Sequence, residues 1–303
     1  MLMPVAPAGG HPLRLAVISE SSASWPLYVA QAKKLFDREG ITVDVTLTAS
    51  SAKQLEQLAR GGYDIGFQQS DHVVRAVENG SDLFIFMAIS PAPELSLVVA
   101  PEVRAFADLK GKIVAVDGTR SGYALLLRKL LADKGLRDQD YTFTEFGGSR
   151  ERFDALKSGA AFASFLNPPF DGNLFAAGYR SLCTLRDYFP TYPGSIAAAR
   201  RSWARANAPR LVGFIRGMNA AHAWLEDQRN QQEAIDILQA RLKIDPAAAA
   251  RAYAECSAQP RPEVVPEALR QVIDMVWDAE GLKGPHGAPD KYIDLSYLHK
   301  ATA

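Results

Sequence analysis

Along the first two hundred residues, two hydrophobic periods alternate. LRLAVIS (13–19), ITVDVTLT (41–48), YDIGFQ (63–68) and LFIFMAI (83–89) are short runs whose apolar residues are contiguous or occupy every second position, which predicts strands. The segments between them place apolar residues three and four apart, which predicts helices. In PLYVAQAKKLFDREG (26–40), Pro26 stands in the first turn, where its missing N–H costs nothing, and Gly40 supplies a stop. One continuous helix is expected there. After ISPAPELSLVVAPEV (89–103) the alternation restarts with KIVAVDG, a helix from about Ser121 to Lys134, YTFTEF, a helix near Glu151 to Lys157, and AFASFL. Two such blocks predict an α/β protein with parallel-rich sheets in two lobes.

From Ser202 to about Ala279 the strand signals vanish, and amphipathic segments such as APRLVGFIRGMNAAHAWLED and QQEAIDILQARLKI predict a helical C-terminal part. Pro246, Pro260, Pro262 and Pro266 punctuate it. A loop from Gly281 to Pro289 precedes the closing DKYIDLSYLHK, which is expected to pack back on the first lobe. The chain passes between the blocks twice, near Ser90 to Leu95 (PAPEL) and near Thr191 to Ala198 (TYPGS). The expected division is a discontinuous lobe of residues 12–92 and 195–303, with residues 93–194 inserted as a second lobe. Two crossings permit hinge closure on a small molecule, and a rigid two-domain enzyme is the alternative. QLEQLARGGYDIGF and RFDALKSGAAFASF echo one another as helix, glycine turn and strand.

Composition narrows the partners. Of 303 residues, 34 are basic and 34 acidic, scattered rather than blocked, which argues against a nucleic-acid partner. Hydrophobic content is 48%, and no apolar run approaches the ~20 residues of a membrane span. MLMPVAPAGGHPLRLAV lacks the basic region and the roughly 7–15-residue apolar core of a signal peptide. As written the chain is expected in the cytoplasm; had a leader been removed, it would be periplasmic. Cys183 and Cys256 read as two buried small hydrophobes rather than a disulfide, and neither falls in a predicted cleft segment. No GxxxxGK[ST], HExxH, GxSxG or paired CxxC occurs, so no metal, nucleotide loop or other cofactor is expected.

Candidate chemistry lies in two turns, SESSASWPLYVAQAKKLF and DGTRSGYALLLRKLLADKG, each following a strand and opening a helix. Ser19, Ser21, Ser22, Ser24, Thr119 and Ser121 offer hydroxyls beside free first-turn N–H groups, which suits a small anionic or polar ligand between two half-sites. Ordinary helix caps are the plain alternative. Strand ends in open α/β sheets face the ligand crevice, placing Gln68, Gln69, Ser70 and Asp71 at one mouth and Asn167, Pro168, Pro169 and Phe170 at the other. Gly147, Gly148 and Ser149 resemble an anion turn or a plain cap. Trp25, Tyr28 and Tyr123 are candidate flat walls. Arg120 is placed to pair a carboxylate or sulfonate, or to be a solvated rim charge. Asp71 is expected to cap its helix and His72 to lie on that helix's surface.

In SWPLYVAQAKKLFDREGITVDV, QLARGGYDIGFQQSDHVVRAVENG, FADLKGKIVAVDGTRSGYALLLRKLLADKGL and SFLNPPFD, taken in order, the chain resembles the type 2 periplasmic solute-binding proteins of ABC importers, in the nitrate, taurine, alkanesulfonate and thiamine-pyrimidine-precursor branch. The resemblance implies two α/β lobes, the second inserted into the first, that close on a small solute and deliver it to a membrane permease. It implies ligand contacts at Ser21, Ser22, Ser24 and Trp25, at Gln69 and Ser70, at Thr119, Arg120, Ser121, Gly122 and Tyr123, and at Asn167 and Pro168. Gly148 and Ser149 join them from the turn chemistry. Where relatives often carry an acidic residue before the NPP segment, this chain has Phe162 or a neighbouring alanine, which leaves the pocket's polarity open. The expected solute is a sulfonate, carboxylate or aromatic or pyrimidine acid, bound by a monomer. Enzymes resembling desulfinases, dehydratases or pyrimidine-precursor synthases share the scaffold and form the rival reading, but Ser21-Ser22-Ala23-Ser24 offers no thiol. A sensor lobe reporting to a partner ranks below both.

Overall fold

A computed structural model of the chain describes residues 11–90, 95–190, 192–193, 195–257 and 262–303. Most of PAPEL, part of TYPGS and the first ten residues lie outside the described residues. The first block folds as β1 (Leu13–Val17), α1 (Trp25–Ala32), α2 (Leu35–Arg38), β2 (Val43–Leu47), α3 (Ser51–Arg60), β3 (Ile65–Gln69), α4 (Ser70–Glu78) and β4 (Leu83–Ala88). The second comprises β5 (Ser96–Val99), β6 (Ile113–Val116), α5 (Gly122–Asp133), β7 (Thr142–Glu145), α6 (Ser149–Lys157), β8 (Ala163–Leu166), α7 (Phe170–Ala176) and β9 (Arg180–Thr184). After β10 (Ser195–Arg200) come α8 (Arg201–Ala206), α9 (Ala208–Glu226), α10 (Gln231–Leu242), α11 (Pro246–Ser257), α12 (Pro266–Glu280) and α13 (Ser296–Thr302).

The strands make two five-stranded sheets, in the orders β2-β1-β3-β10-β4 and β7-β6-β8-β5-β9. Both share one plan. β1 runs parallel to β2 and β3, and β6 parallel to β7 and β8, while β10 and β5 run antiparallel to both their neighbours. The parallel-rich expectation is thus corrected by one reversed strand per sheet: each reversed strand follows one of the crossings between the blocks. Helices cover both faces, which is why β3 and β4 are buried at every position and β4 reads as a continuous apolar run, while β3 ends in two buried glutamines at the cleft. The internal echo corresponds to α3–β3 and α6–β8, with β3 and β8 each third in its sheet.

The helix expected over residues 26–40 is broken. Lys34 adopts a left-handed conformation (φ 53°), ending α1 and starting the short α2. The break lays Phe36 flat against Phe214 of α9, ring centroids 5.4 Å apart at 6°, over Gly217, where a Cβ would stand 2.5 Å from the Phe36 ring. Burial of that pair outweighs the roughly 1–2 kcal/mol cost of a left-handed non-glycine residue. The C-terminal third is helical, and α13 returns to the first sheet, with Tyr297 5.9 Å from Phe84. One hydrophobic cluster joins the two halves of the molecule through Val73 of α4, Leu127 of α5 and Val272 of α12. Among the described residues no helix is long and apolar enough to cross a membrane.

Candidate ligand-binding site

The C-terminal ends of β1, β3, β6 and β8 face a cavity of about 670 Å³. Ten predicted site residues line it: Ser21, Ser22, Ser24, Trp25, Gln69, Tyr123, Gly148, Ser149, Asn167 and Pro168. Ser70, Thr119, Arg120, Ser121 and Gly122 are not part of its wall.

The β1–α1 turn reaches the cavity because its hydroxyls are not consumed as caps. Neither Ser21 nor Ser24 makes a side-chain cap bond, and Pro26 occupies the first turn of α1. The Ser22 hydroxyl donates to the Pro168 carbonyl at 2.8 Å, bridging the two halves of the molecule. Tyr28, expected on the wall, stands behind the turn: its hydroxyl oxygen accepts the Ser21 N–H at 3.1 Å. Burial, foremost, pushes the Tyr28 hydroxyl up to about 12. Arg241 lies over the Tyr28 ring, 5.3 Å from its centroid, and pairs with Glu20 at 2.8 Å.

On the β6–α5 turn the hydroxyls are already engaged. The Thr119 N–H and hydroxyl both donate to Glu145 Oε1, at 2.7 and 2.9 Å. Ser121 caps α5, accepting the Ala124 N–H at 3.2 Å and donating to Asp117 Oδ1 at 2.6 Å. Only Asp117 and Tyr123 of this turn reach the cavity. Burial raises the Tyr123 hydroxyl far above its ordinary pKa, with Asp71 and Asp117 adding to the effect, so it remains a donor. Arg120 is a rim charge, 71% exposed and paired with Glu280.

That pair continues inward. Glu280 accepts Arg75 Nε at 2.8 Å, and Arg75 Nη1 donates to Asp71 Oδ2 at 3.1 Å. Asp71 is therefore an ion-pair partner inside α4 rather than a cap, and it is fully buried. His72 is buried too, 4% exposed, with Nδ1 2.8 Å from Gln68 Oε1, which corrects the surface expectation. Gly122 packs against this cluster so closely that a Cβ would overlap the Asp71 carboxylate and stand 2.8 Å from the Tyr192 hydroxyl. Asp71 Oδ1, Ser70 Oγ and the Tyr192 hydroxyl have no hydrogen-bond partner among the described residues.

Arg152, on the first turns of α6, is the residue that sequence reading missed. It lines the cavity and is 6% exposed. Its Nε donates to the carbonyls of Gly147 (3.1 Å) and Gly148 (3.3 Å), Nη1 to Ser164 Oγ (3.4 Å) and the Phe165 carbonyl, and Nη2 to Ser149 Oγ (3.2 Å). The Ser149 hydroxyl in turn donates to Asn167 Oδ1 at 2.7 Å. Among the described residues Arg152 makes no ion pair. Burial lowers its pKa, opposed by the more distant charge of Asp117. The helix carrying it begins at Gly148 without a side-chain cap, leaving first-turn N–H groups beside the cavity.

A further wall comes from the helical C-terminal part, through His222 and Leu225 of α9, Gln231 of α10, and Tyr253 and Cys256 of α11. Cys256 was expected away from the cleft and instead lines it. The two cysteines form no disulfide.

Two sheets whose strand ends converge on one open cleft are the architecture of the type 2 periplasmic-binding-protein fold. The family sequence pattern described as NMT1/THI5 like matches residues 21–232, and the chain belongs to that family. A protein of Brucella abortus (strain 2308) named as a binding protein is 26% identical over 250 residues, 80% of this chain and 75% of that one. Solved structures that share the fold include two sulfonate-binding proteins. The alkanesulfonate-binding protein SsuA from Xanthomonas axonopodis pv. citri, bound to MOPS, is 22% identical with a TM-score of 0.77, covering 94% of this chain and 98% of that one. The periplasmic aliphatic sulphonate binding protein SsuA from Escherichia coli is 21% identical with a TM-score of 0.73, covering 94% and 92%.

Proposed function

We propose that this protein is the solute-binding component of an ABC import system and that its solute is an organic anion, a sulfonate or carboxylate. One observation carries the reading: the Arg152 guanidinium is buried on the cavity wall with no carboxylate paired to it. A buried charge without a counter-charge costs several kcal/mol, and an entering anion offsets that cost through charge-assisted hydrogen bonds. The Asn167 amide N–H groups and the open N–H groups of α6 supply further donors. The names of the two SsuA structures support a sulfonate, and that of the Escherichia coli protein supports a periplasmic working compartment. Residues 12–92 with 195–303 are one closing body and residues 93–194 the other, a division supported by the strands each contributes to its sheet. The protein works as a monomer that passes its solute to a permease, without a cofactor.

Calorimetry with short and aromatic sulfonates, the matching carboxylates, nitrate and neutral alcohols tests this. We expect one molecule bound per chain and recovered unchanged. Arg152→Gln should weaken every organic anion by roughly 10–150-fold, the range of one charged hydrogen-bonding site, and leave the neutral compounds as they were. Arg152→Lys, which keeps the charge, should lose less. A new product in the recovered ligand, or an Arg152→Gln protein that folds and binds all anions undiminished, would refute the proposal.

A further inference from the structure

The cavity is much larger than an anion head group requires. At about 670 Å³ this cleft, open to solvent on one side, has room for on the order of 20 water molecules at ~30 Å³ each, and a nitrate or sulfate ion displaces only a few of them. Arg152, Ser149 and Asn167 occupy the wall built from α6 and β8, with Tyr123 and Leu95 on the same body, while Trp25, Leu225 and Tyr253 belong to α1, α9 and α11 on the other. Trp25 is held in place: its Nε1–H donates to the Ala234 carbonyl at 3.1 Å, and its ring meets Tyr253 edge-on, centroids 5.8 Å apart at 74°. An aromatic pair already fixed and mostly buried offers a ligand a flat surface at little entropic cost.

We infer that the solute is an aromatic anion of on the order of 15–20 non-hydrogen atoms, with its head group at Arg152 and its ring system against Trp25 and Tyr253. This inference rests on the anionic reading above and adds the size and character of what the head group carries. Short alkyl sulfonates satisfy the charge and leave the aromatic wall uncovered. Gln228 and Gln231, both exposed where that wall meets solvent, suit a polar substituent at the far end of the ring.

The test is a calorimetric series at constant head group: methanesulfonate, benzenesulfonate, naphthalenesulfonate and biphenylsulfonate, run beside the matching carboxylates. Affinity should rise at least tenfold from methanesulfonate to benzenesulfonate and again to the two-ring compounds. Tyr253→Ala should compress that ladder by tenfold or more at its upper end. Tyr253→Leu, which keeps apolar bulk if the alanine variant folds poorly, should compress it less. A flat series, falling affinity with size, or a Tyr253→Ala loss equal for every member overturns the size and aromatic assignment while leaving the anionic reading intact. Binding of none of these anions, or binding of uncharged naphthalenes in their place, overturns both.

Discussion

Burial holds the Tyr28 hydroxyl at about 12, where its oxygen accepts the Ser21 N–H beneath the ligand turn. A phenol raised above its unfolded value near 10 leaves stability constant below that pH. Stability is then lost as pH climbs from about 10 to 12, because only the unfolded chain ionises freely. The effect amounts to up to about 3 kcal/mol for this one group. Tyr28→Phe should remove one proton's worth of slope from the alkaline unfolding curve and cost about 1 kcal/mol at neutral pH. Urea melts between pH 8 and 12 decide this, and an unaltered alkaline slope would show that Tyr28 is not the titrating group. Such roles were hidden in the sequence for a physical reason: Tyr28 sits at helical spacing like any core residue, and its use depends on the Ser21 amide facing it. Arg152 was hidden likewise, since its partners are carbonyls and hydroxyls spread over residues 147–165, and nothing in GGSRER distinguishes a buried arginine from a solvated one.

Helix α5 meets α4 most tightly at Gly122. Gly122 lies in the first turn of α5 with ordinary helical geometry, so alanine there favours the helix itself. Its methyl would nonetheless strike the Asp71 carboxylate, which Arg75 holds in place. Gly122→Ala should therefore keep its helix content and hold the two halves of the molecule apart, weakening ligand binding at least tenfold. Small-angle scattering should show a larger radius of gyration with ligand present than for the unmodified protein. A variant that binds and compacts normally would show that α5 shifts freely against α4. At this scale the sequence was legible wherever a period was sustained, as in β3, β4 and α5. It was not legible at Lys34, where tertiary packing of Phe36 overrides helix propensity, nor at the β6–α5 turn, where Glu145 from outside the motif and Asp117 at its start take up the hydroxyls that looked free.

For the whole molecule, a ligand that binds only the folded form at ~100 times its dissociation constant adds about 2.7 kcal/mol of stability. Melting temperature should accordingly rise with the logarithm of ligand concentration for any true solute. A candidate that binds in calorimetry without moving the melt would be attaching to the unfolded chain or to the surface. The two-lobed plan was readable because strand–helix alternation occurs twice. The wall contributed by α9, α10 and α11 was not, because it reaches the cavity through packing between segments far along the chain from the strand ends they face. That distance has one more effect, on synthesis. Strand β10 lies between β3 and β4 and is β4's sole partner strand among those described, so the first sheet stays open until the ribosome has released residue 200. The other sheet needs nothing beyond residue 184. The segment translated second is thus able to finish folding first, and the opening quarter of the nascent polypeptide waits, with exposed strand edges that chaperones would recognise, for its missing central piece.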